Sequence, residues 1–277
     1  MSEQFGGKVA FITGAARGQG RAHAVRFAEE GADIIAVDLC NQIDSVAYPM
    51  ATSEDLDETV NLVEKAGRRI VAEHADVRDL ERLEAVVAKG VAEFGRIDFV
   101  LANAGILPAA GEPGRRIDAF VDAVNVMLNG VYFTIVAALP AMLAHGDGGA
   151  VVITSSAAGF KPVTVDFGTA SHGAAGYTAA KHGVIGVMRH FARALAEKNI
   201  RVNSVHPGGV ATPMIYNDAM AVWSEEHPAF SPSQQPLLAV PPVEPEAISD
   251  TMVYLCGPTG RYVTGVALPV DSGQIVK

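Results

Sequence analysis

Two kinds of stretch alternate along the chain. Short apolar runs end in small or polar residues, and longer amphipathic stretches with apolar positions three and four apart lie between them. The first kind reads as buried strands and the second as helices laid over them. Strands are expected at residues 8–13, 32–37, 69–75, 97–102, 150–154, 201–205 and 267–270. Helices are expected from Gly20 through Ala28, at 80–94, at 117–143, from Tyr177 through Leu195 and at 246–255. Strands alternating with helices argue for an α/β fold: a doubly wound, mostly parallel seven-stranded sheet with helices on both faces. No low-complexity linker and no repeat of roughly 20–50 residues interrupts the pattern, so residues 1–277 are expected to form one domain.

In such sheets ligands gather outside the carboxyl ends of the strands. Gly14, Asp38, Asp76, Asn103, Ser156 and Pro207 all fall at those ends. The first strand runs into Gly14-Ala15-Ala16-Arg17-Gly18-Gln19-Gly20, then a helical stretch closed at Gly31, then a second strand ending at Asp38. That order is the Rossmann-type dinucleotide-binding unit, here with GxxxGxG spacing rather than GxGxxG. The glycines let backbone approach a pyrophosphate, and the helix N-terminus offers free amides. An acid at the end of the second strand bonds the adenosine ribose diol and repels a 2′-phosphate, so Asp38 favours NAD. Arg17 is the opposing signal, because a base in the glycine loop can serve NADP.

Tyr177 and Lys181 lie four apart in Tyr177-Thr178-Ala179-Ala180-Lys181, on one face of the expected helix. A phenol with a pKa near 10 is a poor base at neutral pH. A neighbouring ammonium lowers such a pKa by roughly 1–3 units. The pair is thereby a device for moving a proton on or off an alcohol oxygen. In isolation it is common surface decoration, and its weight comes from its surroundings.

Composition narrows the partners. The 277 residues carry a formal charge of −10 without a basic run, so neither nucleic acid nor an anionic membrane surface is an expected partner. Cys40 and Cys256 lie far apart with no CxxC, which fits packing residues in a reducing cytoplasm. The histidines are scattered, so no metal is expected. The stretch Met1-Ser2-Glu3-Gln4-Phe5 has no basic region, and apolar runs stop short of the roughly 18–20 residues of a span. The expectation is cytoplasmic, with no signal peptide and no membrane span.

Seven motifs stand in order: Thr13-Gly14-x-x-x-Gly18-x-Gly20, Asp76-Val77, Asn103-Ala104-Gly105, Ser155-Ser156, Tyr177-x-x-x-Lys181, Arg201-Val202-Asn203 and Pro207-Gly208-x-Val210-x-Thr212. In these the chain resembles the short-chain dehydrogenase/reductases over nearly its whole length. The resemblance implies that Tyr177 exchanges the proton with the substrate oxygen and that Ser156 hydrogen-bonds that oxygen. Lys181 would lower the tyrosine pKa and bind the nicotinamide ribose. It implies further that Asp76 and Val77 cradle the adenine, that Asn103 and Gly105 line the cofactor, and that Val210 and Thr212 contact the carboxamide. Gln19, Leu39, Ala104, Thr154, Pro207, Gly209 and Met214 complete the implied cofactor set.

Narrower features are similar to the actinobacterial carveol-dehydrogenase-like, mycofactocin-associated subgroup: Gly14 to His23, Asp38-Leu39-Cys40, Lys181-His182-Gly183-Val184 and His206 to Met214. That subgroup carries an insertion after the second strand, and residues 39–52 are too long here for an ordinary strand-to-helix turn. Beside Asp38 the insertion could fold over the adenosine. The resemblance then implies an NAD held too tightly to exchange freely and reoxidised in place by the peptide-derived cofactor mycofactocin. A solvent-exposed insertion without a role is the competing reading.

The pattern breaks in two places. Many family members have an asparagine three positions before a glycine in the long central helix, and here Met127 takes it, three before Gly130. A thioether holds a relay water poorly, and Asn125 and Asn129 are each displaced by two helix positions, about 200°. The reading is that Met127 only packs and that Tyr177, Lys181 and Ser156 suffice. The loop 159–176 is also long, with Phe160, Lys161 and His172 in it, and shapes either the substrate mouth or only the surface. His172 and His182 are read as structural histidines rather than a proton shuttle. Residues 212–243 match the family's substrate-covering segment, in which Trp223 and the methionines would bury an apolar alcohol or ketone.

The reading is an NAD-dependent oxidoreductase of a lipophilic secondary alcohol or ketone. Its rivals are a 3-oxoacyl thioester reductase, which would need a basic patch, and a non-catalytic NAD-binding protein supported only by Met127. A homotetramer or homodimer is expected from the resemblance, with the apolar segment 263–276 suited to subunit packing.

Overall fold

Among the described residues seven strands and ten helices follow in chain order: β1 (Val9–Thr13), α1 (Gly18–Glu29), β2 (Asp33–Asp38), α2 (Ser53–Lys65), β3 (Ile70–His74), α3 (Leu80–Phe94), β4 (Phe99–Ala102), α4 (Gly111–Gly114), α5 (Ile117–Val124), α6 (Gly130–His145), β5 (Gly149–Thr154), α7 (His172–Ala194), β6 (Ile200–Pro207), α8 (Asp218–Glu226), α9 (Phe230–Gln234), α10 (Pro245–Cys256) and β7 (Ala267–Val270). The computed structural model describes residues 3–277; Met1 and Ser2, part of the N-terminal stretch read above, lie outside them. The sheet order is β3-β2-β1-β4-β5-β6-β7 and every pairing is parallel.

Strand period two divides the core cleanly. Phe11, Ile35, Val100, Val151 and Val202 point to one face, under α3, α6 and α7. Ala10, Ile12, Ile34, Leu101 and Val152 point to the other, under α1, α2 and α10. Strands covered on both faces need apolar side chains at both parities, hence the continuous apolar runs of the sequence. On the second face Phe5, Phe27 and Phe99 close one end of the core, with ring centroids 4.7–5.8 Å apart. Burying each ring contributes about 2–3 kcal/mol.

Helices α2, α4, α8 and α9 were not among those expected from the apolar pattern. Helix α2 buries only Leu56, Thr59 and Val63, and a capping box between Thr52 and Asp55 starts it. Its packing fixes the glycine loop. Thr59 Oγ1 donates to Ala15 O at 3.0 Å, and Arg21 reaches from α1 to Ala16 O and to Asp55 O at 2.6 and 2.7 Å.

The central helix expected at 117–143 spans Ile117–His145, interrupted by a π turn at Asn125–Asn129. Gly130 N–H bonds back to Asn125 O, five residues earlier. A Cβ on Gly130 would come within 2.6 Å of Val77 Cγ2, so only glycine lets the helix ride over the end of β3. By length and apolarity this helix could cross a membrane, against the expectation that no run would suffice. It packs instead as a core helix, α5 on α7 and α6 on α3.

A buried polar pair joins α1 to α10. His23, fully buried, meets Ser249 with Nδ1 2.7 Å from Oγ. Ser249 Oγ donates to Pro245 O at 3.1 Å, so His23 Nδ1–H is the donor and its buried Nε2 keeps no partner. Burial pushes the His23 pKa from 6.5 down to about 3. The unfolded chain therefore takes up a proton below about 6.5 that the folded chain refuses until about 3. Stability falls as pH drops through that window, by roughly 1.4 kcal/mol per pH unit for this group. His23→Leu should flatten this acid limb in urea unfolding measured from pH 7 to 4; an unaltered slope would assign the limb to other groups.

Candidate active site

The carboxyl ends of β1, β2, β3 and β4 open into a cleft walled by Gly14, Gly18, Gln19, Gly20, Asp38, Asp76, Val77, Asn103, Ala104, Gly105, Thr212 and Met214. Gly14 and Gly18 take positive φ, +67° and +55°. A Cβ on Gly20 would lie 1.9 Å from Gly14 O, so the loop must be bare to fold against the start of α1. The first turn of α1 holds no acid, which leaves its amides and positive dipole end free for an anion. Gln19 Oε1 is buried without a partner. Asp38 Oδ2 accepts from Ala16 N at 3.0 Å and Oδ1 from Cys40 N at 3.2 Å, which holds the carboxylate at the cleft edge. This donor and acceptor set fits a dinucleotide with an unmodified ribose.

The insertion 39–52 closes one side of the cleft with Leu39, Ile43, Tyr48, Met50 and Ala51. It is pinned at three points. Arg17 Nη2 donates to Pro49 O at 2.5 Å, Ser45 Oγ donates to Asp122 on α5 at 2.7 Å, and the buried Tyr48 hydroxyl accepts from Leu107 N at 3.1 Å. Arg17 thus ties the glycine loop to the strap through one of its N–H donors while lining the cleft, and Asp38 remains the feature that disfavours a 2′-phosphate. Asp122 also receives Arg78, which grips Asp76 through Nε and Nη2 at 2.9 and 2.7 Å. Beside Arg78, the Asp76 carboxyl titrates below its usual range despite partial burial. Tyr48 and Arg78 were not singled out in the sequence; the length of the insertion was the only signal for the first.

Behind the cleft lies a chain of polar contacts. Lys181 Nζ donates to Thr154 O at 2.9 Å, Thr154 Oγ1 donates to Asn103 Oδ1 at 3.1 Å, and Asn103 Nδ2 donates to Thr13 O at 3.1 Å. Thr154, Pro207 and Val210, named above as cofactor residues, do not line the cleft: Thr154 is buried in this chain, and Val210 packs in the core. Gly209 lines the neighbouring cleft instead. Met127 is fully buried in the π turn, and a Cβ on Gly105 would sit 3.6 Å from its sulfur and 3.7 Å from Lys181 Nζ. It fills the space beside the lysine with a thioether. Asn125 and Asn129 bond each other at 2.9 Å, away from the lysine, so neither replaces the missing asparagine.

A second cleft, about 860 Å³, abuts the first where Leu107 follows Ile106 and Ile215 follows Met214. Ser156 and Tyr177 share its wall with Val163, Met220, Phe230 and Val243. Burial raises the Tyr177 pKa, and the adjacent Ser156 hydroxyl lowers it in part. The two oxygens do not complete a hydrogen bond; Ser156 Oγ accepts from Ala158 N at 3.1 Å. Lys181 Nζ lies 5.6 Å from the Tyr177 ring centroid, and burial lowers its own pKa to about 8. The phenol is thus shifted upward by burial, against the expected lowering by the lysine. His206, stacked on Phe160, places its Nδ1 2.9 Å from Ser156 O and its Nε2 2.9 Å from Ser204 Oγ, and burial holds it neutral with a pKa near about 4.

Two expectations about the substrate side are corrected. Trp223 is buried within the covering segment, edge-on to Phe230 at 4.4 Å and against His227 at 4.8 Å, and forms no part of the large cleft. Of the methionines, Met220 faces that cleft while Met214 faces the first. His172 and His182 are exposed and line neither, as befits structural histidines.

Known proteins resemble this chain over nearly its whole length. An uncharacterized oxidoreductase of Mycobacterium tuberculosis is 50% identical, over 98% of this chain and 97% of its own length. The (-)-trans-carveol dehydrogenase of Rhodococcus erythropolis is 44% identical over 98% of each chain. The crystal structure of carveol dehydrogenase from Mycobacterium avium in complex with NAD superposes with a TM-score of 0.90 over 99% of both chains at 44% identity. The family model for short chain dehydrogenase matches residues 8–221. With that match and these relatives, the chain belongs to the short-chain dehydrogenase/reductase family.

Proposed function

We propose that the protein is an NAD-dependent dehydrogenase interconverting a lipophilic secondary alcohol and its ketone, with NAD held beneath the strap so that it exchanges slowly. The observation that carries this reading is the meeting of two clefts: Ser156 and Tyr177 wall an apolar one directly beside the glycine-loop cleft that the strap closes. The carveol dehydrogenases among its relatives support the alcohol class, and the NAD bound in one of them supports the cofactor.

Gly14, Gly18 and Gly20 would hold the pyrophosphate, Asp38 the adenosine ribose, and Asp76 and Val77 the adenine. When bound, the nicotinamide supplies the hydride acceptor or donor. The chain's own residues handle the oxygen and its proton. Ser156 Oγ fixes the substrate oxygen beside the phenol. Tyr177, desolvated and protonated near neutral pH, donates its proton as a ketone becomes an alcohol and recovers it in the reverse direction. Lys181 provides the nearby positive charge that steadies the phenolate. Residues 212–243 cover the substrate through Met220 and Phe230.

A cofactor that does not leave must be reoxidised in place, and the subgroup resemblance supplies mycofactocin as the carrier. Ile117 and Val121 on α5 and Tyr262 near the C-terminus are exposed apolar positions that suit subunit packing in a homodimer or homotetramer. A 3-oxoacyl thioester substrate would need a basic patch, which the lining of the large cleft lacks.

Tyr177→Phe should cut turnover by roughly 10²–10⁴-fold while nucleotide binding persists; an active variant defeats the assignment. Protein purified without added nucleotide should carry NAD through gel filtration. Ser45→Ala should speed its release by roughly fivefold, the value of one hydrogen bond of about 1 kcal/mol. Ready loss of NAD from the unaltered protein would leave the strap without this role.

A further inference from the structure

One cation stands inside the large cleft. Lys161 is the only basic residue among its lining residues, and in a chain of net charge −10 that position is notable. Its Nζ donates to two backbone carbonyls, Gln274 O at 2.9 Å and Ser233 O at 3.2 Å. An ammonium has three N–H donors, so one is left over. Among the described residues the lysine makes no ion pair. The two acids of the cleft are otherwise placed: Asp271 spends both oxygens on Gly273 N and Ile275 N at 3.0 and 2.9 Å, and Asp218 is exposed at the start of α8. Around the ammonium the wall is polar, with Gln274 Nε2 donating to Gln234 Oε1 at 2.8 Å, whereas Val163, Met220 and Phe230 make other parts of the cleft apolar.

Backbone ties Lys161 to the residue that faces the reacting oxygen. Ser156 caps the 3₁₀ turn Ala157–Gly159, and Lys161 N–H bonds back to Ala157 O at 3.2 Å. The turn thus holds Lys161 five residues along from Ser156, on the wall of the same cleft. Resting on the alcohol dehydrogenase reading, we propose that Lys161 is a recognition subsite for a carboxylate on the substrate. The physiological substrate is then a lipophilic hydroxy or oxo acid. A carboxylate supplies the missing counter-charge and accepts the third N–H, while the apolar wall takes the hydrocarbon between.

Initial rates with 7-hydroxyoctanoate, its methyl ester and octan-2-ol, run with a redox dye that reoxidises the bound NAD in place, test this. The unaltered protein should favour the acid over the ester by about tenfold in kcat/KM, carried by KM, the equivalent of one charge-assisted hydrogen bond. Lys161→Met should bring that ratio to about one, and Lys161→Arg should keep it. Absence of a preference for the acid overturns the proposal. So does a Lys161→Met variant that slows acid and ester equally, which would make the lysine only a stitch between α9 and the C-terminal turn. Calorimetric titration with 7-oxooctanoate reads the subsite without turnover: binding lost in Lys161→Met supports it, and equal binding overturns it. Failure to oxidise any of the three alcohols would instead remove the dehydrogenase reading.

Discussion

The site depends on one polar chain at the ends of the middle strands. Lys181 on α7 bonds the Thr154 carbonyl at the end of β5, Thr154 bonds Asn103 after β4, and Asn103 bonds Thr13 at the end of β1. Every link is buried or nearly so, where a lost partner costs about 1–3 kcal/mol. The chain fixes the lysine, the glycine loop and the strand ends in one frame. Tyr177, one helical turn before the lysine, and Ser156, two residues after Thr154, inherit their positions from it.

Around that frame the fold tolerates local departures. The π turn at Asn125–Asn129 widens the central helix where it passes Gly105 and Lys181, and Met127 fills the added space. A π turn of this kind inserts a residue without disturbing the register on either side, and such turns collect near functional sites. Met127 thereby stands as a packing group where the resemblance implied a polar one, and Lys181 bonds the carbonyl of Thr154.

Most of the architecture was legible because strands covered on both faces must be apolar throughout and because glycine is required where backbones meet. All seven strands lie within about two residues of where the apolar runs put them, and Gly14, Asp38, Asp76 and Asn103 at their ends wall one cleft. What was hidden has physical causes. Helix α2 buries too few apolar side chains for its period to stand out, although Thr52 and Asp55 carried its start signal. Thr154 sits at the end of β5 but is buried in the polar chain, and strand position alone does not tell which way a terminal side chain points. Trp223 satisfies its surface against Phe230 and His227 inside the covering segment, a pairing no spacing rule reveals. The partners of the strap, Asp122 and Leu107, are distant in sequence and emerge only once α5 is docked.

The strap also changes how the cleft can open. Its pins lie on the glycine loop, on α5 and on the backbone after β4, so no hinge at one end frees it; all three must part together. Opening is then a small unfolding event with its own free energy, not a loop motion. The Leu107 amide is covered by the Tyr48 hydroxyl, so its hydrogen exchanges with solvent only when the strap lifts. One backbone proton thus keeps the record of how often the cleft stands open.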